Sequence, residues 1–91
     1  MADTYKGDGY QAVLTDHFLE RMKERVREGT KIPYDRIFRA IRRWPERKCR
    51  ALLNNKYWVI CKYEPAHDRV VFLTLMPKSF ILPEPSIWVL V

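Results

Sequence analysis

Midway along this chain the hydrophobic period changes, and that change constrains the fold more than any other feature. From Thr15 to Trp44 apolar residues recur at three- and four-residue intervals, while from Arg50 to Met76 they come in extended apolar and aromatic runs. The first spacing lines one face of a helix, and the second suits strands. Phe18, Met22 and Val26, with Leu19 beside them, make the buried stripe of a first helix. Tyr34, Ile37, Phe38, Ile41 and Trp44 make that of a second. Helices gathered first and strands after predict an α+β domain, with two N-terminal helices packed on one face of a three- to four-stranded antiparallel sheet.

Local signals place the boundaries. Thr15 or Asp16 supplies an oxygen to the free amides of the first helical turn, and Gly29 suits the left-handed residue past its end. Pro33 suits the start of the second helix, and Pro45 ends it at Trp44. Asn54-Asn55 tolerates positive φ and marks a tight turn between Arg50–Leu53 and the aromatic run Lys56–Glu64. Arg69–Met76 is apolar almost throughout, as in a strand covered on both faces, and Pro77 ends it. Gln11–Leu14 reads as a short extended piece and residues 1–10 as a flexible lead-in. The apolar tail, residues 79–91, either adds a strand or pairs with a second copy as a homodimer. The whole chain, 1–91, is expected to be a single domain.

Charge narrows the partners. Seventeen Lys and Arg stand against eleven Asp and Glu, a net charge of +6, which favours an anionic partner such as nucleic acid, an acidic protein or a lipid surface without choosing between them. Cys49 and Cys61 lack metal-ligand spacing, and with His17 and His67 they form no short Cys-x-x-Cys or His-x-x-x-His unit. We expect reduced thiols, no metal and no cofactor. The polar start MADTYKGDGYQ has no signal-peptide apolar run. No stretch reaches the ~20 apolar residues of a membrane span. The expectation is a cytoplasmic protein without a membrane partner.

The chemistry-bearing stretch is TDHFLERMKER, where His17, Arg21 and Arg25 recur every fourth residue. At ~100° per residue this spacing stacks an imidazole and two guanidinia on one inclined stripe beside the apolar one. A proton-transfer group next to two fixed cations suits phosphate handling, and the plain alternative is a solvated basic flank. With YDRIFRAIRRW, NNKYWVICKY and VVFLTLMP following in order, the chain resembles the small RelE-like toxins and their relatives. These belong to the group that joins barnase, EndoU and the colicin ribonucleases. The likeness runs over roughly residues 14 to 77, and the longer REGTKIP loop and the apolar tail depart from it.

The resemblance implies a RelE-like fold, a metal-independent endoribonuclease of the toxin type and an acidic antitoxin as partner. His17 would act as general base or acid, with Arg21 and Arg25 on the scissile phosphate and Thr74 donating from the strand beneath. Arg39, Arg42, Arg43, Lys48 and Arg50, from the densest basic run, would track the RNA backbone, and Tyr57 or Tyr63 would stack a base or serve as a weak acid. Each has a plain counterpart: a capping histidine, paired arginines, a β-branched filler, a core tyrosine, basic residues for solubility. Two further functions stay open. One is a non-catalytic nucleic-acid-binding or regulatory protein, the other an interaction module that uses the apolar C-terminal tail.

Overall fold

The computed structural model describes residues 3–7, 9–27, 29–79 and 87–89. Two helices cover one face of a six-stranded mixed sheet. In chain order the elements are β1 (Asp3–Lys6), β2 (Gln11–Leu14), α1 (Asp16–Arg25), α2 (Tyr34–Ile41), β3 (Lys48–Leu53), β4 (Tyr57–Glu64), β5 (Arg69–Pro77) and β6 (Ile87–Val89). The strands lie in the order β1-β2-β5-β4-β3-β6. This corrects the expected arrangement of two N-terminal helices on a purely antiparallel sheet of three or four strands. Two strands precede the helices, and β2 pairs with β5, as β3 does with β6, in parallel.

The physical reason is the path of the chain. β2 runs along the first half of β5, from Gln11↔Arg69 to Leu14↔Phe72, and then turns directly into α1. Beyond Phe72 that edge of β5 has no strand beside it among the described residues, and α1 lies along it instead. Thr15 makes the turn. Its hydroxyl oxygen accepts from the Phe18 amide at 3.2 Å, capping the helix, and its O–H lies within donating distance of the Phe72 and Leu73 carbonyls, 3.0 and 3.1 Å away. One side chain thus serves the first helical turn and the unpaired strand edge together. At its other end α1 stops at Arg25, short of Gly29, because Val26 is already extended at φ −104°.

Within the stretch read as a flexible lead-in, Asp3–Lys6 is β1, hairpinned to β2, while Met1, Ala2 and Asp8 lie outside the described residues. Of the apolar tail, residues 87–89 form β6, and residues 80–86, 90 and 91 lie outside the described residues. The Asn54-Asn55 turn has φ of 51° and 57°, as two residues of a tight hairpin require.

The core lies between helices and sheet. Phe18 from α1, Ile37 and Ile41 from α2, and Cys49, Val59, Cys61, Val70, Phe72 and Leu75 from the strands are all fully buried. Phe72 touches both helices, with its ring centroid 5.5 Å from that of Phe18 and 5.2 Å edge-on from that of Tyr34. Phe38 stacks on Tyr10 at 4.2 Å and meets Tyr63 edge-on at 5.5 Å, so an aromatic layer fastens α2 to the sheet. A bulge in β5 reorders its faces. Cys61 pairs with Phe72 and Ile60 with Thr74, leaving Leu73 as the extra residue. Phe72 and Leu75 therefore both reach the core, and Thr74 shares the far face of the sheet with Ile60.

Candidate nucleic-acid interface

Helix α2 presents two unlike faces. Ile37 and Ile41 are buried and Tyr34, Phe38 and Ala40 pack against the core, so Arg36 and Arg39 stand in solvent on the opposite side. Helical geometry ends at Arg42, and the chain then turns through Arg42–Arg47, all of it exposed. Glu46 takes a left-handed φ of 62° and its amide donates to the Tyr63 carbonyl at 2.8 Å, which ties the turn to the end of β4.

Arg36 in the first turn of α2, Arg39 in its last turn, and Arg42, Arg43 and Arg47 in the turn that follows are all exposed. None of the five has a carboxylate partner among the described residues; Glu24 pairs with Arg21, and Glu64 with Lys62 and Arg69. Arg39 in the last turn, and Arg42 and Arg43 just past it, favour the negative end of the helix dipole, which supplies a local reason for three of them. It supplies none for Arg36 or Arg47. Among them sits Trp44, 39 % exposed. The expected apolar stripe of α2 includes Trp44, but the helix ends three residues earlier at Ile41, so the indole never comes round to the core. An aromatic face among unpaired guanidinia suits a polyanion that carries flat bases.

Beside the arginines, a recess of about 200 Å³ is lined by Tyr10, Asp35, Phe38, Arg39 and Arg42. The Tyr10 hydroxyl donates to Asp35 Oδ1 at 2.6 Å. Burial and the neighbouring Asp35 carboxylate push the Tyr10 phenol well above its ordinary range, so it stays protonated and keeps donating.

The other sequence-derived residues are dispersed. His17 stands exposed in the first turn of α1. Arg21 pairs with Glu24 at 2.8 Å. Arg25 donates to the Leu75 carbonyl at 2.9 Å and so closes the bare edge of β5. Thr74 lies behind the sheet from all three, because the bulge at Leu73 puts it on the face away from α1. The structure does not bring Thr74 to His17.

Tyr57 does not present its hydroxyl to a ligand, because that group donates to the Arg25 carbonyl and pins the end of α1. Arg50 sits on the far face, its guanidinium carbon 4.9 Å from the centre of the Trp58 ring. Lys48, exposed at the start of β3, alternates onto that same face. Of the expected RNA-binding residues, Arg39, Arg42 and Arg43 gather at one place. Trp44 joins them, and the exposed arginines on either side of it were the available signal.

Arg25 has a definite structural task, which can be measured. Replacing it with methionine keeps much of its aliphatic bulk but leaves the Leu75 carbonyl without that donor. We expect a loss of about 1–2 kcal/mol of unfolding free energy in urea titrations. No loss would remove Arg25 from the fastening of α1.

Cys49 and Cys61 face one another across β3 and β4 and are fully buried, and burial pushes both thiols up, away from the thiolate form. No cluster of three metal-ligating side chains exists among the described residues, and no helix there is long and apolar enough to cross a membrane. Compared with family models, curated proteins and solved structures, the chain finds no match.

Proposed function

We propose that the protein binds single-stranded nucleic acid without cleaving it, gripping phosphates with Arg36, Arg39, Arg42, Arg43 and Arg47 and stacking a base on Trp44. The observation that carries this reading is the set of five exposed arginines without carboxylate partners along α2 and the turn that follows it. Gathering like charges without counterions is unfavourable for the free protein, and a strand of phosphates relieves that repulsion. The net charge of +6 acts in the same direction. Buried free thiols suit a reducing compartment, so we place this activity in the cytoplasm.

The ribonuclease reading asks more of the side chains: His17, two phosphate-binding arginines and Thr74 around one phosphate. The positions of Arg25 and Thr74 favour binding over that chemistry. Titration of labelled RNA and DNA oligonucleotides in EDTA tests the choice. Association should weaken by about a hundredfold between roughly 50 and 200 mM salt, as four or five neutralised phosphates imply, with the strands intact. His17→Ala should bind as the wild type does. RNA cut in EDTA to 2′,3′-cyclic ends, with cutting lost in His17→Ala, would overturn the binding-only reading in favour of the nuclease.

A further inference from the structure

The recess beside α2 holds donors and acceptors in separate places. The Asp35 carboxylate is an acceptor only, while Arg39 and Arg42 are donors only. Although Asp35 and Arg39 are four residues apart on α2, no ion pair joins them. The carboxylate is instead oriented from outside the helix. Tyr10, only 5 % exposed and stacked on Phe38, holds Asp35 Oδ1 through its hydroxyl. Among the described residues Oδ2 has no partner. A ligand that satisfies this recess must bring adjacent N–H donors for the carboxylate together with acceptors or negative charge for the guanidinia.

We infer that the recess selects a guanine base in the bound strand, with Asp35 accepting from its Watson–Crick edge and Arg39 and Arg42 on the acceptors and phosphate beside it. This inference rests on the nucleic-acid reading above. Guanine alone among the four bases offers two neighbouring N–H donors on that edge, N1–H and the N2 amino group. Its O6 and N7 are acceptors that arginine reads well. Adenine and cytosine place a ring nitrogen acceptor next to their amino group, and that lone pair would face the carboxylate oxygens. Uracil has a single N–H between two carbonyls. Removing either carboxylate oxygen as an acceptor should therefore erase the preference without disturbing the phosphate contacts.

The test is fluorescence anisotropy on the full chain with three labelled heptanucleotides. One is all uridine, one has a central guanosine, and one has a central inosine, which lacks the N2 amino group. The guanosine strand should bind about tenfold more tightly than the other two. Asp35→Asn should remove that advantage and leave affinity for the all-uridine strand within about twofold. Equal affinity for all three strands overturns the guanine inference and leaves the nucleic-acid reading standing, whereas no binding of any strand removes both. A guanosine preference that survives Asp35→Asn places the selectivity elsewhere and also overturns it. If Asp35→Asn fails to fold for want of the Tyr10 contact, the guanosine–inosine comparison on the wild type still decides.

Discussion

Phe72→Ala is expected to lower unfolding free energy by about 3–5 kcal/mol, the range for emptying a fully buried aromatic site. The ring packs against both helices at once, through Phe18 from α1 and Tyr34 from α2. Its removal leaves a cavity between elements that α1 and α2 cannot both collapse into, since Thr15 and Arg25 fasten α1 to the carbonyls of β5. A domain of 91 residues has only about 5–14 kcal/mol in total, so a large share would go. Urea denaturation followed by circular dichroism gives the value. A loss below about 1 kcal/mol would mean that the helices are not seated on Phe72 as described.

The second large effect concerns binding. The triple variant Arg39→Gln, Arg42→Gln, Arg43→Gln should bind single strands about a hundredfold more weakly near 0.1 M salt. Its plot of log affinity against log salt should be shallower by about two units, because each phosphate contact contributes about 0.7 on a single strand. All three side chains are exposed and lack carboxylate partners among the described residues, so stability should stay within about 0.5 kcal/mol per substitution. Loss of affinity with an unchanged slope would point to a surface other than this one. Trp44→Ala should act differently, with an affinity loss of about 1–3 kcal/mol and little change in slope, because stacking releases no counterions.

Both effects trace back to features read with unequal ease from the chain. The two helices were legible because Phe18, Met22 and Val26, and then Ile37, Phe38 and Ile41, keep a helical interval that nothing local opposes. The β3–β4 hairpin was legible because the Asn54-Asn55 pair can take positive φ. β1 was not, since DTYK is mostly polar and becomes a strand only by pairing with β2. Parallel pairing of β2 with β5 joins residues nearly sixty positions apart, and no local pattern encodes a partner at that distance.

The same limit governs the site. His17, Arg21 and Arg25 do share a helix stripe, but the bulge at Leu73, invisible in RVVFLTLM, turns Thr74 to the far face of the sheet. The hydrogen bond from Arg25 to the Leu75 carbonyl arises because β2 ends too early to cover that edge, which is a property of topology and not of spacing. The arginine run beyond Arg36 could be read directly, since charge needs no tertiary partner to be counted. Its proposed role as an interface depends on α2 ending at Ile41, and with it on the exposure of Trp44.

Amide chemical-shift mapping puts the account to its most direct trial. An isotope-labelled sample titrated with a guanosine-centred heptanucleotide should show its largest shifts at Asp35–Arg47 and at the Trp44 indole N–H. Amides of α1 from Asp16 to Arg25 should barely move. If the shifts instead centre on His17 and Arg21 while those of α2 stay fixed, the arginines of α2 are ordinary solvated charges and the strand is held by the first helix.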